Sequence, residues 1–359
     1  METISINDID GFKIGHAQNT KGATGCTVVI SEKGAVCGVD VRGGSPGTRD
    51  TDALNPVNNR EKVHAVVLAG GSTFGLDSAG GVMRFLEERK IGRDVGMTVV
   101  PNVCGAILFD LKCGDYRSRP DAAMGYSACR AAFEGVPWKS GNYGAGTGAT
   151  IGTTCGIERA MKGGIGSCAF RFGNLMAGAV IAVNCVGDIY DNETDRIIAG
   201  MRTVDGKRLY GSEKAILERY QRQEDLFSGN TIIGTIITNA KLNKAQATKL
   251  AAVAQNGIVR CVRPAHTIYD GDTIFTLCTG EIDASLDSVG ILACKAVEYA
   301  ILDAVRSADS FDCYTALKDF RPGTVSQEEL KQGGNKNEEE NRISDGGAVS
   351  VYSSHNKSK

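Results

Sequence analysis

The chain has 359 residues, of which 42% are hydrophobic and 23% charged, as is usual for a globular protein with one large domain or two ordinary ones. Its formal net charge of -2 gives no basic field, so we expect neither a nucleic-acid partner nor binding to an anionic membrane. An apolar run of transmembrane length and a signal peptide are both absent from the sequence, which predicts a cytoplasmic location.

Strand-like runs rich in Val, Ile and Thr recur along the chain, and each is bounded by Gly, Asn or Asp. They lie at 26–31, 34–43, 64–70, 97–101, 177–188, 231–239 and 272–280. Helical patterns lie between and after them, at about 72–92, 121–134, 244–255 and 287–307, and the third has Asn256-Gly257 as its expected end. Strands mixed with helices predict a layered α/β or α+β domain over residues 1–320.

The C-terminal residues, the cysteines and the histidines give no sign of a functional site. Residues 321–359 are polar and without periodicity, which predicts a disordered tail. The twelve cysteines form no CxxC pair, so we expect them to be reduced and mostly buried. The four histidines have no metal-ligand spacing, and we therefore expect no metal site and no cofactor.

Two glycine-rich segments are candidates for ligand contacts. GAGTGATIG at 144–152 formally matches a dinucleotide-binding fingerprint, but loop residues precede it where that motif needs a strand. We expect instead a loop packed against a catalytic centre. GGSTFGLDSAGG at 70–81 either presents backbone N–H groups to an anion or packs a helix closely on a sheet, and its sequence leaves both readings open.

Four polar residues stand at the ends of apolar strands. Asp270 and Asp272, in YDGD, would point to one face of an extended chain, where their repulsion would raise one pKa and suit proton transfer. The alternative is a simple Asp-Gly turn. Asn184 is an amide inside an apolar strand, either an oxyanion donor or a hydrogen-bonded strand end. Thr231 follows the Gly229-Asn230 turn and is, on local grounds, an ordinary first strand residue.

Taken together, the segments resemble the self-cleaving L-aminopeptidase/D-esterase (DmpA-like) family of N-terminal nucleophile hydrolases, which includes β-peptidyl aminopeptidases and nylon-oligomer (6-aminohexanoate oligomer) hydrolases. The resemblance spans about residues 6–320. It is carried, in the family's order, by VRGGSPGTRDTDAL, VVLAGGSTFGLDSAGG, GAGTGATIG, AMKGGIGS, AVNCVGD, NTIIGTIITN and RPAHTIYDGDTIFTL.

The resemblance implies a four-layer αββα sandwich like that of DmpA and the ornithine acetyltransferases. It also implies self-cleavage between Asn230 and Thr231, with residues 1–230 staying associated with the new C-terminal chain. Thr231 would be the nucleophile, and Asn184 would donate to the oxyanion. Asp270 and Asp272 would be the acidic partners of Thr231. An N-terminal threonine is suited to this role because its own α-amine can accept the hydroxyl proton. The cleaved protein is expected to be an amidohydrolase or peptidase for small amides, short peptides or amide oligomers. It is also expected to assemble as a homo-oligomer of four or more subunits.

Two departures from the family's pattern concern the substrate. Phe109 stands where the aminopeptidases carry a tyrosine, and their nearby glutamate has no counterpart in AILFD at 106–110. Thr153 and Thr154 stand where the nylon hydrolases carry a lysine. Two alternatives also remain: an acyltransferase of the ornithine acetyltransferase type, and an unprocessed, non-catalytic α/β binding protein.

Overall fold

The computed structural model describes residues 1–222 and 229–323. Residues 223–228 lie outside the described part, and so does almost all of the predicted tail, from residue 324 onward. Residues Met1–Phe320 form one compact unit. Among the described residues, no helix is both long enough and apolar enough to cross a membrane.

Within the described residues, ten strands form one large sheet and seven short strands form three small ones. In chain order the strands are β1 (Glu2–Ile4), β2 (Lys13–Asn19), β3 (Thr24–Val41), β4 (Thr48–Arg49), β5 (Lys62–Ala69), β6 (Arg93–Asp94), β7 (Val99–Val100), β8 (Val103–Ile107), β9 (Thr150–Ile151), β10 (Met161–Lys162), β11 (Gly164–Phe172), β12 (Leu175–Asn184), β13 (Asp188–Asp191), β14 (Arg196–Ala199), β15 (Thr231–Ala240), β16 (Val262–Arg263) and β17 (Thr273–Ile282). The large sheet has the order β1-β11-β12-β15-β17-β3-β5-β8-β4, with β2 beside β3.

In the part of the chain that the structure describes, five α-helices accompany the strands. They are α1 (Ser78–Glu88), α2 (Ala122–Phe133), α3 (Ser212–Gln221), α4 (Lys244–Cys261) and α5 (Leu286–Ser307). The side chain of Asp121 caps α2 and that of Asn243 caps α4, each by accepting a backbone N–H in the first turn. The sequence patterns predicted four of these helices and missed α3.

The large sheet folds so that its two halves face each other, and this produces four layers. One core is lined by β3, β5 and β8 on one side and by β11, β12, β15 and β17 on the other. The outer face of the second half is covered by α4 and α5. The outer face of the first half is covered by α1 and α2. The expected αββα sandwich is therefore confirmed.

Three local predictions were wrong in detail. The runs at 26–31 and 34–43 form the single strand β3, whose pairing with β5 shifts register between Ile30 and Ala35. Asn256-Gly257 does not end α4, which continues to Cys261. A Cβ at residue 257 would lie 2.5 Å from the carbonyl oxygen of Cys294 in α5, so this glycine permits close helix packing. The run at 97–101 contributes only the two residues of β7.

The glycine-rich segment at 70–81 packs within the protein. The backbone N–H of Gly71 donates to Asp110 Oδ1 at 2.6 Å, and the N–H of Ser72 donates to the carbonyl of Leu108. Helix α1, which follows, packs against α2 through Phe85 and its neighbours. Of the two readings that the sequence left open, these contacts favour packing.

Candidate active site

Three strand ends meet at one edge of the large sheet. Thr231 begins β15 and lies directly opposite Asn184, the last residue of the antiparallel strand β12. On its other side β15 pairs in parallel with β17, so the two strands start at the same edge. Asp272 immediately precedes β17, and Asp270 forms a bridge with Asn230. The structure thus brings all four predicted site residues together, and each is at most 2% exposed.

The hydroxyl of Thr231 lies against the preceding peptide group. Thr231 Oγ1 donates a hydrogen bond to the carbonyl oxygen of Asn230. The same oxygen accepts the backbone N–H of Gly271 at 3.0 Å. A Cβ at residue 271 would lie 2.8 Å from Thr231 Oγ1, so the glycine of YDGD allows this approach. Gly271 was not predicted as a donor, although it lies between the two aspartates that were singled out.

Asp272 is held by three donors. Its Oδ1 accepts the backbone N–H of Ile232 at 2.7 Å. Its Oδ2 accepts the backbone N–H of His266 at 3.1 Å and lies 2.8 Å from Nδ1 of the same residue. Asp272 therefore ties the strand that carries Thr231 to the 266–272 turn.

His266 is a site residue that the sequence analysis did not single out. Its backbone is left-handed, with φ of 57°, and its Nδ1 faces Asp272. Its Nε2 is buried and has no hydrogen-bond partner among the residues that the structure describes. The only sequence signal was its position six residues before Asp272, in HTIYDGD.

Asp270 is held by a different set of donors from Asp272. Its Oδ2 accepts the N–H and the hydroxyl of Thr267 at 3.0 and 2.6 Å, and its Oδ1 accepts the N–H of Val186 at 3.4 Å. Burial, and secondly the charge of Asp272, raise the pKa of Asp270 to about 7. One carboxyl of the pair can thus exchange a proton near neutral pH.

Asn184 uses both ends of its carboxamide. Its Oδ1 accepts the N–H of Thr150 at 2.9 Å, and its Nδ2 donates to the carbonyl of Phe109 at 3.1 Å and to Asn230 Oδ1 at 3.4 Å. Asn184 thus binds the side chain of Asn230, while the backbone carbonyl oxygen of Asn230 accepts the Gly271 N–H. Because Thr150 belongs to the 144–152 segment, that segment packs against the site as expected.

Lys162, from the AMKGGIGS segment, binds the backbone of the 144–152 loop. Its side chain is fully buried, and Nζ donates to the carbonyls of Gly146, Ala149 and Gly163 at 3.1, 2.8 and 3.0 Å. Burial lowers the pKa of Lys162 to about 8. The sequence analysis assigned this lysine no role, because its partners are backbone carbonyls that composition cannot reveal.

A cleft opens beside Asn230. It encloses about 310 Å³, including space open to solvent, and is lined by Phe109, Asp110, Lys112, Cys113, Thr150, Thr153, Gly156, Ile157, Gly229 and Asn230. Two of the three residues at which this chain departs from the family's pattern, Phe109 and Thr153, are therefore cleft residues. Within residues 1–222 and 229–323, no cluster of three or more His, Cys, Asp or Glu side chains could hold a metal ion.

Comparison with known proteins gives a consistent result. The sequence profile of peptidase family S58 matches residues 5–318. An uncharacterized aminopeptidase of Mycobacterium leprae is 39% identical over 332 residues, which cover 85% of this chain and 91% of the relative. A 6-aminohexanoate-oligomer endohydrolase of an Agromyces species is 31% identical over 279 residues, 77% of this chain and 75% of the relative.

Solved structures show the same fold. The L-aminopeptidase D-Ala-esterase/amidase of Ochrobactrum anthropi, described as a variant of the Ntn hydrolase fold, superposes with a TM-score of 0.63 at 19% identity. The match covers 93% of this chain and 94% of that one. A β-aminopeptidase from a Burkholderia species gives a TM-score of 0.61 at 20% identity and covers 92% and 93% of the two chains.

Proposed function

The chain belongs to peptidase family S58 and is a hydrolase of amide bonds, and on that premise we propose that it cuts itself between Asn230 and Thr231 and then acts through an N-terminal threonine. One observation carries the proposal. The Thr231 hydroxyl lies against the Asn230 carbonyl, and the Gly271 N–H already donates to that carbonyl's oxygen.

Self-cleavage would be an acyl shift followed by hydrolysis. Thr231 Oγ1 attacks the Asn230 carbonyl carbon, and the resulting oxyanion is stabilised by the Gly271 N–H. Collapse breaks the C–N bond and leaves an ester to Thr231 Oγ1 and a free amine on Thr231. Water then hydrolyses the ester, giving a carboxylate on Asn230. Asp270, whose pKa is raised to about 7, accepts and returns the proton, while Asp272 holds the strand through Ile232.

Turnover would reuse the same atoms. The new α-amine of Thr231 takes the hydroxyl proton, because its reference pKa of about 7.7–8.0 lies near working pH. The hydroxyl attacks a substrate amide and forms an acyl-enzyme, which water hydrolyses. Gly271 N–H and Asn184 Nδ2 stabilise the oxyanion. The substrates are small amides, short peptides or amide oligomers, in agreement with the names of the relatives. A homo-oligomer is part of the same proposal.

Denaturing electrophoresis and an amide-hydrolysis assay test this function together. We expect wild-type protein to give two fragments and to hydrolyse small amides, and Thr231→Ala to give one uncut, inactive chain. Thr231→Ser is the matched control, because it keeps a hydroxyl and is expected to be cleaved. Wild-type protein that stays a single chain after long incubation would overturn the proposal.

A further inference from the structure

The scissile bond of the uncleaved chain shows how an acyl group sits in the site. In self-cleavage and in turnover the same hydroxyl attacks a carbonyl that must lie in one place. The residue on the acyl side of the scissile bond, Asn230, therefore occupies the position that a substrate's acyl residue takes later. Its contacts describe the acyl subsite before any substrate is bound.

Both ends of the Asn230 carboxamide are engaged. Asn230 Oδ1 accepts from Asn184 Nδ2 at 3.4 Å, and Asn230 Nδ2 donates to Thr153 Oγ1 at 2.5 Å. The residue is 3% exposed, so these partners are contacts inside the protein and not surface bonds. A donor faces the carboxamide oxygen and an acceptor faces its nitrogen, which is the pattern that a primary amide requires.

The backbone on the acyl side is equally constrained. The N–H of Asn230 donates to the carbonyl of Tyr269 at 3.2 Å, so the α-amine of an aminoacyl substrate would face that carbonyl. The preceding residue, Gly229, lies over the ring of Phe109, and a Cβ there would lie 3.1 Å from the ring's Cγ. Phe109 thus leaves room for a free amine or a glycine, and a larger residue would meet the ring.

We propose that the acyl subsite selects an asparaginyl group, so that the preferred substrates are amides of asparagine or of Gly-Asn, with Thr153 and Phe109 as specificity residues. This inference rests on the proposed function, because it assumes that one site performs both reactions.

The expected discrimination follows from the hydrogen bonds that other side chains cannot make with Asn184 and Thr153. A leucyl group is close to asparagine in size, but it can neither accept a hydrogen bond from Asn184 Nδ2 nor donate one to Thr153 Oγ1, as the Asn230 carboxamide does. An aspartyl group would add a third carboxyl beside Asp270 and Asp272, which like-charge repulsion disfavours. We expect asparaginyl amides to exceed leucyl and aspartyl amides at least tenfold in kcat/KM.

The first experiment compares p-nitroanilides of asparagine, Gly-Asn, leucine and aspartate with the cleaved wild-type protein. Thr153→Val, which keeps the shape and removes the hydroxyl, should reduce the asparaginyl-to-leucyl ratio of kcat/KM at least tenfold. Thr153→Ser is the matched control and should preserve the ratio. Equal kcat/KM for asparaginyl and leucyl substrates would overturn the inference.

The second experiment uses self-cleavage as the readout. Asn230→Leu should slow the appearance of the two fragments at least tenfold relative to wild type, and equal rates would contradict the inference. The two proposals fail differently. Absence of cleavage in the wild type removes the proposed function, whereas normal cleavage with amide turnover but no asparaginyl preference removes only the acyl-subsite assignment.

Discussion

Two buried carboxyl groups, Asp188 and Asp270, differ in what surrounds them. Asp188, which begins β13, accepts the Met201 N–H at 2.7 Å and the Ser212 hydroxyl at 2.8 Å, and it also accepts the Ser212 N–H. It thereby anchors the start of α3. Asp270, at the strand entrance, is buried to a similar degree. Burial raises the pKa of Asp188 to about 6 and that of Asp270 to about 7.

The comparison shows that a raised pKa does not by itself identify a functional carboxyl. Desolvation is the first cause at both sites, and at both the backbone supplies hydrogen-bond donors. The difference lies in the neighbours. Asp270 has a second carboxyl two residues away and bridges to the residue before Thr231, whereas Asp188 holds a helix and a turn. If this difference matters, substitutions at Asp270 and Asp272 should slow the reaction, whereas substitution of Asp188 should mainly lower the stability of the fold.

The largest effect is expected at Asp272. Asp272→Asn replaces one of the two oxygens that face the Ile232 N–H and His266 with an amide donor, and we expect self-cleavage and amide turnover to slow by at least about a hundredfold, as when the reacting atoms are misplaced. The rate of fragment formation on denaturing gels measures this. Asp188→Asn, which is remote from Thr231, should still be cleaved. Equal slowing in both variants would erase the distinction between the two sites.

The second prediction concerns pH and stability. Because folding raises the pKa of Asp270 from 3.8 to about 7, its stabilising contribution is complete below about pH 4 and is lost as the pH rises through 7. At the reference value of 1.36 kcal/mol per pKa unit, the loss is at most about 4 kcal/mol. Denaturant unfolding of Thr231→Ala, which stays one chain, should show this decline.

Asp270→Asn in the same background should flatten the decline between pH 4 and 7. Asp188→Asn is the matched control: it should remove only a smaller loss, between about pH 4 and 6, since burial raises the pKa of Asp188 from 3.8 to about 6. Parallel stability curves for Thr231→Ala with and without Asp270→Asn would show that Asp270 is ionised throughout, contrary to this account.

The third prediction is the structural effect of Asp188 itself. Asp188→Asn turns one carboxyl oxygen into a donor that faces the donors at Ser212 and Met201, and we expect a loss of about 1–3 kcal/mol of unfolding free energy. Measured at pH 8 by denaturant unfolding, this loss should occur with self-cleavage retained. A stable but uncleaved variant would place Asp188 in the reaction.

The smallest effect is expected at His266. His266→Ala removes one of the three contacts that hold Asp272, and we expect turnover to fall about tenfold, which corresponds to one lost hydrogen bond of about 1.4 kcal/mol. His266→Asn is the control, because asparagine tolerates a positive φ and can still donate to Asp272. Equal rates for His266→Ala and wild type would mean that Asp272 needs only its backbone donors.

Much of this arrangement could be predicted from the sequence, because apolar strands and their polar ends are local features. Thr231, Asn184 and the Asp270/Asp272 pair each stand at a strand end, and the order of the quoted segments indicated the family. Family membership then implied the αββα layers, which no single segment reveals.

Other parts of the site depend on contacts between distant segments. Lys162 binds three backbone carbonyls and Gly271 donates through its backbone, so neither role has a side-chain signature. Gly257 resembled a helix end, but its contact with α5 shows that tertiary packing overrode the local signal. The sequence of 70–81 likewise fits both an anion-binding turn and close helix packing, and only the contact between Gly71 and the distant Asp110 favours packing.

Intact-mass analysis of purified wild-type protein tests the central claim most directly. The account predicts two species whose masses sum to the full chain plus one water, the smaller beginning at Thr231. A single species with the mass of the uncut chain, or fragments that end at any other peptide bond, would contradict it.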